Sequence, residues 1–453
     1  MVSVSAARGT EEPCSCSHCG TLVILDVPVG SAVGVDQYVY TVGESFKGIK
    51  HVPHGTHVVS YAAYDPIGSR FGPVTAMFVE VPKVERFDDD RCAGMDHDTA
   101  WMVDSALHGP VLGWKWNGQE EILERIKEDS PDMARVEGMV RELRWDRELG
   151  SYVTMHAVRG QEGPTVSWRA HEEWMGLSGY IDSRVLKRVA PTGGNVCIIA
   201  EGDHTLLRQD GKHIKTEAEV ALDEQLKDST VEMSHSGASH AGRCHFTPVP
   251  QLIKNANLSP EDLTAWNMDK SKALDALLKD HFGNDESLFL GEFQFSFISF
   301  LLGHSIEGFL QWKHILVLLF SCEEAVTCGR KLLFKNALRI IYDQLSFSFH
   351  KRSSKSVRHN NDLGPSVNNA GGDAVFEQLL EDSFLKKKSV SFIRRIESES
   401  DAFDPDLYSL VVSLGRLISS SLSWECGPVQ DVGISALLDD EDGPVIVNID
   451  EFL

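Results

Sequence analysis

The sequence predicts a multidomain α and β protein: a β-rich, sandwich- or barrel-like N-terminal domain, an all-α helical domain after it, and an extended C-terminal tail. Three observations predict this order. From Gly20 to beyond Trp116, short apolar runs are broken by Pro and Gly at close spacing, the punctuation of an all-β module. From Ser259 onward apolar residues recur at helical intervals instead. The end of the chain, Gly427 to Leu453, carries Asp431, Asp439, Asp440, Glu441, Asp442, Asp450 and Glu451 and no basic residue.

The N-terminal elements follow in order. Thr21-Leu-Val-Ile-Leu25 reads as a strand stopped by Asp26-Val-Pro-Val-Gly30. Short strands are expected at Gln37 to Val42, Ile49 to Val52, His57 to Tyr64, Gly72 to Val81 and Val111 to Trp116. A charged helix is expected over Gln119 to Glu128, and Pro131 opens another that runs to Leu149. These elements make residues 21–150 the β-rich domain, behind a mobile segment at 1–20.

Residues 151–250 carry a weaker signal and read as a helical or irregular connection. Ser178 to Val189 has helical character, ended by Pro191-Thr-Gly-Gly194. Ser229 to Gly242 is Ser-, His- and Gly-rich linker chemistry, with too little apolar surface to stay ordered alone.

The helical domain spans 251–424. Ser259-Pro-Glu-Asp262 supplies an N-cap, a Pro at the first helical position and acids in the first turn. Asp269 to His281 continues with helical periodicity. Leu288 to Leu302 is apolar on nearly every side, as expected of the central helix of a bundle. Ile306 to Phe320 and Glu323 to Leu345 can pack around it. Lys351 to Gly372 reads as a flexible loop, and helices resume at Ala374 to Lys387 and Pro405 to Ser423. Residues 425–453 form the acidic tail.

Composition narrows the function. The chain has 453 residues, and 43 Lys and Arg against 67 Asp and Glu give a net charge of −24. Tight nucleic-acid binding requires basic side chains to neutralise phosphates, so a basic protein surface is the expected partner and no direct nucleic-acid contact is. The best membrane candidate, Ser287 to Gly303, contains Glu292 and Gln294, and as a helix of about 25 Å it falls short of a bilayer core of about 30 Å. The nine cysteines are scattered and no secretory signal opens the sequence. They are read as reduced thiols of a protein of the cytoplasm and nucleus.

Three blocks resemble the AAR two splicing-factor family (a-one/alpha-two repression). The first runs Thr21-Leu-Val-Ile-Leu-Asp-Val-Pro-Val-Gly30, then Gly34-Val-Asp36, Thr41-Val-Gly43 and Phe46-Lys-Gly-Ile-Lys50. It closes on Pro53-His-Gly-Thr-His57, similar to the family's Pro-x-Gly-x-His turn. The second block is the most specific: Leu290-Gly-Glu-Phe-Gln-Phe-Ser-Phe297, Phe300-Leu-Leu-Gly303, Glu307-Gly-Phe309 and Trp312-Lys313. Gly443-Pro-Val-Ile-Val-Asn-Ile449 is the third. The resemblance implies a β-rich domain joined to a helical domain of VHS-like character. It also implies binding to the largest U5 snRNP protein, the pre-mRNA-processing factor eight scaffold, at its RNase H-like and Jab1/MPN domains. That occupancy would hold off the spliceosomal helicase during U5 assembly.

The tail holds the candidate partner-binding residues. Val445, Val447 and Ile449 fall on one face of a strand, Ile446 and Asn448 on the other. Such a strand can add to an exposed sheet edge of a partner, steered by the acids before it. A solvated tail and a strand returning to its own β domain are the alternatives; the resemblance favours the partner.

Other positions read as follows. Ser353, Ser354 and Ser356, set among Lys351, Arg352, Lys355 and Arg358, are candidate phosphorylation sites. Glu292 and Gln294 are expected on a helix face that touches water. Cys14, Cys16, His18 and Cys19 crowd too closely for a zinc site, and His235, His240, Cys244 and His245 read as a solvated linker. No metal and no cofactor is expected. No phosphate loop, nucleophile elbow or His-Glu-x-x-His helix is present, which favours a non-catalytic protein. A hydrolase without a local motif and a VHS-like trafficking adaptor are the alternatives.

Overall fold

The computed structural model describes residues 19–83, 109–152, 164–191, 194–197, 244–250, 259–356, 383–399, 403–422 and 424. The first half forms two five-stranded sheets. Sheet 1 has the order β10-β9-β1-β4-β11, with β1 Gly20–Leu25, β4 Gly48–Val52, β9 Val111–Asn117, β10 Ile122–Arg125 and β11 Leu149–Ser151. Sheet 2 has the order β12-β8-β5-β2-β3, with β2 Ala32–Val35, β3 Tyr38–Thr41, β5 Gly55–Ala62, β8 Thr75–Val81 and β12 Asn195–Cys197. A small hairpin, β6 Tyr64–Asp65 and β7 Arg70–Phe71, completes the β elements.

Strand alternation dictates the layers. Leu22 and Ile24 of β1 face sheet 2 and join Val33, Val59, Met77 and Val79 in a core between the sheets. Val23, one residue out of phase, faces the other way and packs with Met133, Val136 and Val140. Those three residues belong to α1 Pro131–Arg141, whose N-cap Ser130 accepts from Met133 N. The expected β sandwich is therefore present, with a helix on its outer face. The other face of sheet 2 is covered as well, so β5 buries Val58 and Val59 on opposite sides. This two-sided burial leaves Thr56 to Ala62 buried without a break.

The covering layer is helical: α2 Pro164–Ser178, α3 Ser183–Val189, α4 Pro260–Met268, α5 Ser271–Phe282, α6 Glu286–Gly303, α7 Ile306–Leu319, α8 Lys331–Ser356, α9 Ser383–Ser398 and α10 Pro405–Leu422. The expected central helix is α6, which starts at Asp285, whose carboxylate accepts from Ser287 N and Leu288 N. Val58, Ala76 and Val196 of sheet 2 sit in the same buried cluster as Phe293, Phe295 and Phe297 of α6. The sheets and the helices thus share a core.

Several expectations are corrected. Gln119 to Glu128 is no helix: Ile122 and Leu123 pair with Asn117 and Trp116 as the return strand of a hairpin. Asn117 Oδ1 caps the turn by accepting from Gln119 N and Glu120 N, and strand pairing with burial of Leu123 outweighs the helical preference of Gln and Glu. The helix expected over Ser178 to Val189 begins only at Ser183, where Asp182 accepts from Arg184 N and Val185 N. The helix expected from Glu323 opens instead as a π turn at Ala325–Gly329.

Residues 151–250 are not merely a connection, because β12 pairs antiparallel with β8 and extends sheet 2. Lys351 to Gly372 is not wholly a loop: α8 continues through Ser356, since Lys, Arg and Ser prolong an existing helix at little cost. Helix α9 passes the expected end at Lys387, carried by buried Leu385, Ser389, Phe392, Ile393 and Ile396 on one face.

Candidate functional site at the sheet–helix seam

Two polar residues inside α6 organise the seam. Glu292 is fully buried, and Gln294 is 1% exposed. The expectation that they touch water is wrong, because each is satisfied by backbone or side chains from other elements, as buried polar groups must be. Gln294 Oε1 accepts from Tyr180 N at 2.8 Å, and its Nε2 donates to Gly176 O at 2.8 Å. It thereby joins α6 to the last turn of α2 and to the turn that follows it.

Glu292 holds a seven-residue strap, 244–250, which has no regular secondary structure. Thr247 N donates to Glu292 Oε1 at 2.6 Å and Thr247 Oγ1 donates to Oε2 at 2.7 Å. Gln311 Nε2, from α7, donates to both Thr247 O at 2.8 Å and Glu292 Oε1 at 3.0 Å. Arg188 of α3 closes the hub, with Nη2 donating to Thr247 Oγ1 at 2.9 Å and Nε 3.6 Å from Glu292 Oε2. Burial pushes the Glu292 carboxyl above its ordinary range, opposed by the Thr247 amide and hydroxyl, Arg188 and Gln311. Cys244 is buried in this strap, so it is not part of a solvated linker; His245 is exposed, as expected.

Close helix approach requires small residues here. A Cβ on Gly291 would be driven into the Tyr180 carbonyl oxygen and lie 2.5 Å from Val185 Cγ2.

The sheet side of the seam has its own clamps. Trp174 Nε1 donates to Thr56 O at 2.8 Å, and Thr56 Oγ1 donates to Ile181 O at 2.5 Å. Phe78 of β8 stacks on Phe295 of α6, and Phe246 of the strap meets the same ring edge-on at 6.0 Å.

A second polar cluster lies behind β5. His57 Nδ1 is 2.8 Å from Asp36 Oδ2, and Nε2 is 2.9 Å from Pro53 O. A carbonyl only accepts, so Nε2 carries a proton. Asp36 also accepts from Tyr152 Oη at 2.7 Å and from Val58 N at 3.0 Å. Burial, and Asp36 beside it, push the Tyr152 phenol well above its ordinary range. The Pro-x-Gly-x-His turn therefore serves to seat His57. With the ring buried and both nitrogens engaged, the cluster is a structural clamp.

The candidate partner-binding residues Val445, Ile446, Val447, Asn448 and Ile449 lie outside the described residues, as do Cys14, Cys16, His18, His235 and His240. The backbone of Ser353, Ser354 and Ser356 falls in the last turns of α8. Among the described residues, no group of three or more His, Cys, Asp or Glu is placed to hold a metal, and no helix is long and apolar enough to cross a membrane. Sequence reasoning missed Thr247, Arg188 and Gln311. The one signal that pointed to them was an acid inside an otherwise apolar helix, which demands partners.

Two family models match the chain. One, described as the AAR2 N-terminal domain, matches residues 18–191. The other, described as the AAR2 C-terminal repeat region, matches residues 246–427 and so begins in the strap. Similar proteins include the protein AAR2 homolog of Mus musculus, 24% identical over 333 residues, covering 72% of this chain and 75% of the mouse protein. The Homo sapiens homolog is 24% identical over 332 residues, with the same coverage of each chain. The Caenorhabditis elegans homolog is 23% identical over 335 residues, 72% of this chain and 78% of its own.

Proposed function

Because the chain belongs to the AAR2 family, a family of splicing-related factors, we infer that it is a non-catalytic assembly factor for the U5 snRNP. In this reading it binds the largest U5 scaffold protein, pre-mRNA-processing factor eight, through that protein's RNase H-like and Jab1/MPN domains. While bound, it holds off the spliceosomal helicase as a chaperone of the immature particle, in the cytoplasm and the nucleus.

The observation that carries the reading is the match of family models to both halves of the chain, neither of them a catalytic family. The net charge of −24 supports a basic protein surface as the partner over nucleic acid. The alternating Val445 to Ile449 run, preceded by Asp439 to Asp442, supports strand addition as the mode of contact.

Size-exclusion chromatography of the full chain with the two scaffold domains tests this. A ternary complex that weakens when the chain is cut after Pro428 supports both the partner and the tail contact. A complex indifferent to the cut keeps the partner and moves the contact to the folded halves. No complex with either version rejects the function.

A further inference from the structure

His245 N donates to Val189 O of α3 at 2.9 Å, and the side-chain anchors between the strap and the helices converge on one residue. The backbone N–H, carbonyl and hydroxyl of Thr247 are all engaged, by Glu292, Gln311 and Arg188. The next residue is Pro248, which is exposed, whereas Thr247 itself is 4% exposed. The chain has two other hydroxyl-Pro pairs, Ser130-Pro131 and Ser259-Pro260, and both prolines open helices, where Pro is favoured for its fixed φ. Among the described residues Pro248 opens no helix, since 248–250 have no regular secondary structure. Thr-Pro-Val-Pro250 presents the hydroxyl-then-Pro pattern that proline-directed protein kinases accept, in a segment that belongs to no helix or strand.

We propose that Thr247 is a phosphoacceptor for a proline-directed kinase and that its phosphate unlocks the strap from α6. The step transfers the γ-phosphoryl group of ATP to Thr247 Oγ1; the hydroxyl proton leaves and ADP departs. The modified oxygen no longer donates to Glu292, and a group carrying close to two negative charges cannot remain beside a buried carboxylate. Arg188, whose side chain is 32% exposed at the rim of the hub, is placed to swing outward with the phosphate and leave Glu292 without its cation. Phe246 departs with the strap, which uncovers one edge of Phe295 where it stacks on Phe78. The modification thus reports directly on the sheet–helix seam, independently of the identity of the partner.

The test incubates the full chain with MgATP and a proline-directed kinase already shown to phosphorylate a synthetic peptide of residues 240–254. Phosphate is located by mass spectrometry. Incorporation at Thr247 is expected in the native chain, absent in Thr247→Val and strongly reduced in Pro248→Ala. It is expected to be faster in Glu292→Ala, which loosens the strap and keeps the acceptor. Hydrogen exchange of the 244–250 amides should rise about tenfold or more on phosphorylation. A peptide that is no substrate overturns the proposal, as does a Thr247 left unmodified in both the native chain and Glu292→Ala. Phosphate at Thr247 with unchanged exchange overturns the unlocking.

Discussion

Phe78 and Phe295 stack with ring centroids 4.4 Å apart and planes 24° from parallel, one ring from sheet 2 and the other from the central helix. The contact joins the two family-matched halves of the chain in one apolar cluster. Unfolding is therefore expected to be coupled across the seam. Phe295→Ala should destabilise by about 3–5 kcal/mol, the range for removing a buried aromatic. A double-mutant cycle with Phe78→Ala should give a coupling of about 0.5–1.5 kcal/mol, measured by denaturant unfolding. Two separate transitions in the native chain would contradict the shared core.

The Glu292 hub gives a pH signature. Its folded-state pKa is raised by burial above the ordinary 4.5, so the folded chain binds more protons than the unfolded chain between those two values. Glu292 therefore costs stability as pH rises through that window. The stability of the native chain minus that of Glu292→Gln should fall with rising pH from about 4.5 upward and be flat outside the window. Chemical denaturation at a series of pH values reads this, and a difference that grows with pH would contradict the assignment.

Behind β5, Tyr152→Phe removes one of three hydrogen-bond partners of Asp36. It should cost about 1–2 kcal/mol, the scale of a hydrogen bond to a charged acceptor. Asp36→Ala strands His57, Tyr152 and Val58 N together and should cost about 3 kcal/mol or more. Thermal unfolding of the two variants checks the order; equal losses would show that Asp36 does not organise the cluster.

Glycines separate packing from propensity. Gly291→Ala drives a methyl into the Tyr180 carbonyl and should destabilise by about 1–3 kcal/mol through displacement of α6 from α3. Gly138→Ala, in α1, meets open space and should stabilise by about 0.5–1 kcal/mol through helix propensity. Melting temperatures that move in the same direction for both would reject the close-approach argument.

What could be read in the sequence is what depends on near neighbours. The strand at Thr21 to Leu25, the central helix at Leu288 to Leu302 and the Pro at the start of α10 each declare themselves within a few residues. Gln119 to Glu128 was opaque because its strand partner, β9, overrides a helical composition. Glu292 and Gln294 looked solvent-facing because their partners are remote: Tyr180 and Gly176 lie 114 and 118 residues from Gln294, and Thr247 lies 45 from Glu292. Local pattern shows that such residues need partners and carries no information on where those partners come from.

The layering also sets a clock during synthesis. Val58, Ala76 and Phe78 present an apolar sheet face whose cover, α6, lies more than two hundred residues downstream of Phe78. A ribosome adding about 5–20 residues per second leaves that face bare for roughly 10–40 s after the strand emerges. Trp174 and β12 emerge within that interval, but the part of the face that α6 covers stays bare to its end, the kind of surface that general chaperones protect until its cover has emerged.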